Sequence, residues 1–192
     1  IDTKFALDKE ININNDYSLI SSVLDDDFAK AFINLIKEGL KMNNDEGIKL
    51  QRLWCGLRDG FDAKSFHSQT DMVSNRIFIF QNNFGAIFGG FVTKSFNAIQ
   101  DKWLNDPNVF IYQLKPESKI FRPKQANTGH HAFYKNPLKI AEFSNDIEIS
   151  NNCNKNHTSF SKPERYTINK ATHLVGGYSN DDKVYFKIEN FE

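Results

Sequence analysis

Residues 53–71, LWCGLRDGFDAKSFHSQTD, gather most of the side chains in this sequence that could carry out chemistry. A nucleophilic triad needs a hydroxyl or thiol, an imidazole that acts as base, and a carboxylate that orients the imidazole. The stretch offers Ser65 or Cys55, His67, and Asp59 or Asp71. Neither nucleophile lies in a G-x-S-x-G turn, the corner that exposes the catalytic serine of many hydrolases. The context therefore favours a structural corner, and a Ser65/His67 hydrolase stays as an alternative hypothesis.

Cys55 and Cys153 are the only cysteines, and they lie far apart without C-x-x-C spacing. This usage indicates neither a zinc site nor a disulfide-stapled scaffold. Cys55 is predicted to lie on a strand, on the same side as Leu53 and Leu57, and to be buried and inert. Cys153 falls in a polar segment and is expected to be exposed. A thiol antioxidant that uses Cys55 or Cys153 is a second alternative hypothesis.

The tripeptide Arg58-Asp59-Gly60 has the composition of a tight corner. Gly60 can adopt the positive φ that such a corner needs, and Asp59 can accept hydrogen bonds from backbone donors ahead of it. Arg58 can pair with Asp59, with Asp62 or with a carboxylate on a neighbouring strand. We interpret the tripeptide as a turn clamp, with Arg58 and Asp59 as candidate contact residues for a partner.

Other motifs with a chemical interpretation point to structure instead. The glycine doublets Gly89-Gly90 and Gly176-Gly177 fit no phosphate-binding pattern. Both lie in aromatic segments that are predicted to be strands, which suggests a large ring packed over each gap. His130 and His131 are adjacent, so on a strand they point to opposite faces and cannot easily bind one metal ion. We therefore predict no metal site, no cofactor and no catalytic residue, and a structural role for Gly60 and both doublets.

Two polar segments supply further candidate contacts. Residues 115–139 carry six Lys or Arg side chains against one Glu, with Phe121, Phe133 and Tyr134 among them. Such a mixture occurs on nucleic-acid surfaces, but it also occurs on solvated loops. The chain has a net charge of zero, which favours the solvated loop and argues against a nucleic-acid partner. The candidate partner-binding residues in these two segments are Lys119, Arg122, Lys124, Asn151, Asn152 and Asn154.

The elements that would position these residues change type near residue 50. Before it, apolar residues of DDDFAKAFINLIKEGLKMNNDEG recur at helical spacing and predict one helix with a buried face. After it, about eight short segments rich in Ile, Val, Phe and Tyr predict strands. They are LQRLWCGL, RIFIFQN, AIFGGFVTK, VFIYQL, HHAFYK, DIEIS, HLVGGYS and KVYFKIENF. DAKSFHS interrupts them as one or two helical turns with Asp62 or Ser65 as cap, and residues 150–161 are predicted to be a polar loop.

This succession predicts a mainly β domain with flanking helices, a two-layer antiparallel β-sandwich. The content of 18 Phe residues suits packing between two sheets. We expect an irregular lead-in over residues 1–24 and one domain over residues 25–192. No run is long and apolar enough to predict a membrane helix, and no signal peptide is recognisable, so we expect no membrane insertion and a cytoplasmic location.

Five short motifs, in order, resemble the TLDc domain family of oxidation-resistance proteins and related chains. They are LWCGLRDGFDAKSFHSQTD, IFGGFVTKSF, DPNVFIYQLK, FSNDIEISNNCNKN and LVGGYSNDDKVYFKIENFE. The sequence departs from the family pattern at two points. Thr70 stands where the family usually has Cys in Phe-His-x-x-Cys-Asp, which argues against a redox thiol there. Residues 142–145, EFSN, stand where the family often has Gly-Gly.

The resemblance implies a β-sandwich with no established catalytic centre or cofactor. It also implies a role in resistance to oxidative stress and, for several members, binding to and regulation of the vacuolar-type proton ATPase. We therefore expect a non-catalytic interaction domain with a protein partner. A structural component of another multiprotein complex is a further alternative, and the sequence does not separate the two.

Overall fold

The structure, a computed structural model, describes residues 23–24, 26–43, 47–48, 50–96, 102–124, 133–177 and 182–192. All but the last two residues of the predicted lead-in over 1–24, and also His130 and His131, lie outside these ranges. The helices are α1 (Asp26–Leu40), α2 (Gly56–Asp59), α3 (Ala63–Thr70) and α4 (Ala171–Val175). The strands are β1 (Arg76–Asn82), β2 (Ile87–Val92), β3 (Lys102–Leu104), β4 (Phe110–Lys115), β5 (Lys119–Phe121), β6 (Phe133–Lys135), β7 (Lys139–Phe143), β8 (Ile147–Ser150), β9 (Ser159–Ser161), β10 (Val184–Phe186) and β11 (Ile188–Phe191).

The strands form a mainly β, antiparallel fold, which confirms the predicted class. One sheet has the order β11-β1-β2-β4-β5, a second has the order β10-β9-β8-β7, and β3 pairs with β6. The chain passes from β10 in the second sheet directly into β11 in the first. Because β11 and β5 are the two edges of the five-stranded sheet, elements attached to them lie on opposite sides of the domain.

The five-stranded sheet is covered on both faces. Phe78 and Phe80 of β1 face the core between the sheets, where they meet Phe143 and Ile147 of the second sheet. Ile79, between them in sequence, belongs instead to the cluster on the other face. This alternation explains the run of four apolar residues in RIFIFQN, which the sequence predicted for a strand covered on both sides.

Helix α1 covers the outer face of that sheet and confirms the predicted amphipathic helix. Its apolar stripe, including Phe32 and Ile36, packs on Phe91, Phe110 and Tyr112. The apolar cluster that joins the helix to this sheet contains no described residue of the second sheet, so the helix forms a third layer there. Burial of the stripe, rather than intrinsic helix propensity, accounts for most of the stability of such a helix.

Two predicted strands are wrong. Residues 50–57, LQRLWCGL, form no strand, and their end enters helix α2. HLVGGYS begins in helix α4, and its glycines follow the helix. In α4 the last carbonyls are held by buried amides of the sheet, because Gln113 Nε2 donates to Leu174 O at 2.8 Å and Asn82 Nδ2 donates to Val175 O at 2.7 Å. These side-chain bonds stabilise a helix end in a segment whose composition favours a strand.

An aromatic ring lies close to each glycine doublet, as the sequence suggested. A Cβ on Gly89 would lie 1.7 Å from Phe78 O, with the Tyr112 hydroxyl at 2.7 Å, and a Cβ on Gly90 would lie 2.3 Å from the Phe143 ring. Gly176 and Gly177 have φ values of 69° and 80° at the end of α4. A Cβ on Gly177 would lie 2.6 Å from the Phe84 ring, although this doublet is not in a strand.

Candidate interaction surface

The corner made by Arg58, Asp59 and Gly60 is a rigid, charged projection. Both carboxylate oxygens of Asp59 accept hydrogen bonds from Arg58, from Nε and Nη2, each at 2.8 Å. The same carboxylate accepts a bond from the Cys55 backbone N–H at 2.8 Å. These contacts, with the Arg58 hydrogen bond the largest, hold the pKa of Asp59 below its usual value. The predicted turn clamp therefore has the expected partners, except that the backbone donor lies behind Asp59 and not ahead of it.

The buried side chain of Trp54 supports this corner. Trp54 is buried, and its Nε1 donates to Gly60 O at 3.0 Å. Gly60 has φ 97°, which confirms the positive φ predicted for it. On the solvent side of the corner, Leu57 is 68% exposed and the Arg58 side chain is 52% exposed. The corner thus presents one apolar and one cationic side chain on a support that cannot easily rearrange.

The loop after β8 is attached to the same corner. Asn151 Oδ1 accepts a hydrogen bond from Ala63 N at 2.8 Å, and Asn152 N donates to Phe61 O at 2.9 Å. Asp62 caps α3 by accepting from Ser65 N at 2.8 Å, which confirms Asp62 as the cap. We call Leu57, Arg58, Asp59, Asn151, Asn152 and Asn154 the corner surface. The structure therefore attaches the loop that contains Asn151, Asn152 and Asn154 to Phe61 and Ala63, which follow Arg58 and Asp59 in the chain.

The basic candidates lie elsewhere. Lys119, on β5, is at the sheet edge opposite β11, whereas α2 packs against β11. Arg122 donates to the carbonyl of Gly39 at the end of α1, and its guanidinium lies 5.3 Å from the Phe110 ring centre. Lys124 Nζ donates to Glu164 O at 2.8 Å. Arg122 and Lys124 thus hold neighbouring segments together, and the three residues do not join the corner surface.

The hypothetical triad is not assembled in the described residues. His67 Nδ1 lies 2.8 Å from Asp71 Oδ1, and His67 Nε2 lies 2.7 Å from Lys139 O. Both ring nitrogens thus face oxygen atoms, and the Ser65 hydroxyl is not among their partners. Asp59, the other candidate carboxylate, is bound to Arg58. His67 instead links α3 to the turn before β7.

Both thiols are buried. Cys55 is 4% exposed, which confirms its predicted burial although not the predicted strand. Cys153 is 0% exposed, so the expected exposure is wrong. Burial raises the pKa of the Cys153 thiol to about 12. The loop composition concealed this burial because Cys153 lies among asparagines, although its thiol belongs to the apolar core and Ile188 N of β11 donates to Cys153 O.

A comparison with models of protein families identifies the family of this chain. The model of the TLDc domain matches residues 19–192, nearly the whole chain. The chain belongs to the TLDc domain family. A search of curated proteins finds no match to it. The five motifs of this TLDc domain fall on α2–α3, on β2, on β4, on β7–β8 with the loop that follows, and on the segment from α4 to β11.

The sequence did not reveal one cluster of the TLDc domain, the ionic cluster around Asp71. Lys135 Nζ lies 2.8 Å from Asp71 Oδ2, and Arg76 Nη1 lies 3.7 Å from Asp71 Oδ1. Burial opposes ionisation of Asp71, but the hydrogen bonds from His67 and Lys135 outweigh it and lower the pKa of the carboxyl. We call His67, Asp71, Arg76 and Lys135 the Asp71 cluster. Its members come from α3, β1 and β6, so only their chemical types were available from the sequence.

Thr70, the departure from the family motif, completes α3 next to this cluster. Its hydroxyl is buried and donates to Phe66 O at 3.0 Å. The hydroxyl is therefore satisfied within the helix. No redox group is available at this position of the TLDc domain.

A cleft of about 70 Å³ lies between α1, residues 50–54 and β1 of the TLDc domain. Its wall is mostly aromatic and aliphatic, and it includes Arg52, Arg76 and Glu192. Pockets that hold cofactors usually measure about 300 Å³ or more. Within the described ranges, no group of His, Cys, Asp and Glu side chains has the arrangement of a metal site. In the same ranges, no helix has the length and hydropathy to span a membrane.

Proposed function

We propose that this TLDc domain is a non-catalytic interaction module that binds and regulates a large cytoplasmic assembly, the vacuolar-type proton ATPase, and so contributes to resistance to oxidative stress. Membership of the family supports the general role, because the family resemblance implies protein partners and links several members to that pump. The corner surface is the structural observation that carries the proposal for this chain.

The corner surface has the properties of an interface anchor. Arginine is enriched among residues that dominate binding energy, and an apolar neighbour that loses its hydration adds to the contact. Arg58 is oriented by two hydrogen bonds to Asp59, so little side-chain freedom would be lost on binding. Because the net charge is zero, long-range attraction contributes little and specific contacts must supply the affinity.

The separation of Lys119 from the corner surface provides a matched test. The domain is used to capture a purified soluble subcomplex of the pump, and the bound fraction is measured for Arg58→Gln, Leu57→Ser and Lys119→Gln. We expect Arg58→Gln and Leu57→Ser each to weaken binding by about fivefold or more, and Lys119→Gln to leave it within twofold. Thermal melting of each variant shows whether the fold persists.

Two results would contradict the proposal at different levels. Loss of binding in Lys119→Gln alone would move the contact to the opposite edge of the sheet and refute the corner surface. No capture of any pump subunit by the folded wild-type domain would refute the pump as partner. The domain would then be better described as a component of another complex.

A further inference from the structure

Asp59 of the corner surface precedes Gly60, and the two residues form the only Asp-Gly step in the sequence. In such a step the backbone nitrogen of the glycine can attack the side-chain carboxyl carbon of the aspartate, because no Cβ on the glycine hinders the approach. The reaction is spontaneous and changes the covalent path of the backbone. The sequence contains no Asn-Gly step, the other context that favours this attack. Asp59 is therefore the residue whose sequence context most favours the rearrangement.

The rearrangement has two steps. In the first, a bond forms between Gly60 N and Asp59 Cγ, and the carboxyl hydroxyl leaves with the amide proton as water, which closes a five-membered succinimide. In the second, water adds to the succinimide carbon that was the main-chain carbonyl carbon of Asp59, and the bond from that carbon to nitrogen breaks. The product is isoaspartate, in which the backbone runs through Cγ. One water is released and one is taken up, so no other reactant is needed.

The structure restrains the carboxyl group that would be attacked. Asp59 Oδ1 accepts a hydrogen bond from Arg58 Nε, and Oδ2 accepts from Arg58 Nη2 and from Cys55 N, each at 2.8 Å. Loss of a hydroxyl requires the protonated carboxyl, whereas hydrogen bonds from a guanidinium favour the ionised form. The bond from Arg58 is the largest cause of the lowered pKa of Asp59. The carboxyl is thus held in its less reactive form and in one orientation.

The structure also restrains the nitrogen that would attack. Gly60 N donates to Gly56 O at 2.9 Å, which fixes the peptide plane between Asp59 and Gly60. On the other side of Gly60, its carbonyl accepts a bond from Nε1 of the buried Trp54 at 3.0 Å. An attack on Cγ that needs a rotation of the peptide plane would break the bond to Gly56. Small errors in the approach of two reacting atoms remove much of the rate of an intramolecular reaction.

We propose that Asp59 is a site of spontaneous isoaspartate formation, and that the contact from Arg58 keeps this reaction slow in the folded domain. Arg58 is a positioning residue in this account. The product removes the support of the Arg58 side chain, because the free carboxylate moves to another carbon atom and the backbone becomes longer by one methylene group. The corner surface would then change without an enzyme or an oxidant. The proposal concerns the covalent chemistry of the domain and does not rest on the proposed function.

The test follows isoaspartate in the purified domain during storage at neutral pH, below its melting temperature. Protein isoaspartyl methyltransferase labels the product, and peptide mapping assigns the label to Asp59. We expect the folded wild-type chain to form isoaspartate at least about tenfold more slowly than the same chain unfolded in guanidinium chloride. Folded Arg58→Gln should form it about threefold or more faster than folded wild type, because the charged hydrogen bonds are lost. Lys119→Gln, at the opposite edge of the sheet, should match wild type.

A further variant separates the local contact from global stability. Gly90→Val overpacks the contact with Phe143 and leaves the corner unchanged, so the rate at Asp59 should stay at the wild-type value while this variant is folded. Equal rates in folded and unfolded wild type, equal rates in Arg58→Gln and wild type, or no isoaspartate in the unfolded chain would overturn the proposal. An equal rise in Gly90→Val and Arg58→Gln would also overturn it, because unfolding would then control the reaction. All rates are measured on the domain alone, so they are independent of the capture of pump subunits.

Discussion

At the scale of single residues, the packing of this TLDc domain depends on glycine positions at which a larger side chain would not fit. Gly89 and Gly90 lie side by side on β2, the one against Tyr112 and the other against Phe143 of the second sheet. Phe143 in turn packs against Phe78 and Phe133, with ring centres 5.6 and 4.8 Å apart. A side chain at Gly90 would therefore displace a ring that holds the two sheets together.

Replacement of Gly90 by Val should destabilise the fold by about 2 kcal/mol or more, because the branched side chain would overpack the contact with Phe143. Gly47 provides a control, since nothing lies within 4 Å of a Cβ at that position. Gly47→Val should change the free energy of unfolding by no more than about 0.5 kcal/mol. Urea unfolding of both variants measures the difference. An unchanged midpoint for Gly90→Val would show that the doublet has no packing role.

At the scale of elements, α3 is held to β1 and to the β3–β6 pair by ionic contacts, and not only by its apolar face. Asp71, just past the end of α3, binds Lys135 of β6 and lies near Arg76 of β1, while Phe96 N donates to Asp71 O at 2.7 Å. The Arg76 guanidinium lies 3.5 Å from the centre of the Phe96 ring. Removal of the one carboxylate would leave buried cations without compensation, which costs more than the pair itself is worth.

Asp71→Asn should therefore destabilise the domain by about 3 kcal/mol at pH 7. The pKa of Asp71 is lowered in the fold, so its stabilising contribution is fully present above the ordinary aspartate pKa of about 3.9 and is lost as pH falls below that value. The difference in unfolding free energy between wild type and Asp71→Asn should thus shrink as the pH falls below about 4. Chemical unfolding across this range measures it, with exposed Asp27→Asn as control. A difference that grows in acid would contradict this account.

At the scale of the whole molecule, the groups that could react with an oxidant are separated from the groups that could contact a partner. Both cysteines are buried, and the pKa of Cys153, about 12, keeps its thiol protonated at neutral pH. The thiolate is the form that reacts with peroxide. Leu57 and Arg58 of the corner surface, in contrast, are exposed. A protective effect of the domain in cells would then depend on binding.

A double Cys55→Ala, Cys153→Ala variant should keep any protection against peroxide that the wild-type chain confers on cells. Alanine avoids a buried hydroxyl, and the small cavities it leaves should cost stability without unfolding the chain. Survival after peroxide treatment is measured at matched protein levels, and melting temperature confirms the fold. Loss of protection by a folded double variant would revive the thiol antioxidant hypothesis. The Arg58→Gln variant, with both thiols intact, should lose protection if binding is the cause.

Much of this fold could be read from local patterns. The spacing of Phe32 and Ile36 predicted α1, and the run around Phe78 predicted a strand covered on both faces. Asp62 was one of the two predicted caps of α3. These predictions were possible because periodicity and capping depend on near neighbours in the chain. The family was also readable, since its motifs are contiguous. The segments that were misread are residues 50–57 and HLVGGYS, which were predicted to be strands, and residues 159–161, which were predicted to be part of a loop but form β9.

Long-range contacts decided the rest. Asn151 reaches Ala63 across 88 residues, and Asn82 reaches Val175 across 93, so neither the corner surface nor the end of α4 follows from local sequence. The same holds for Cys153, whose polar neighbours indicated exposure while β11 covers it. The sequence determined the residue types, the main periodicities and the family. Only the tertiary structure determined which side chains share a surface, because that depends on hydrogen bonds and burial between segments far apart in the chain.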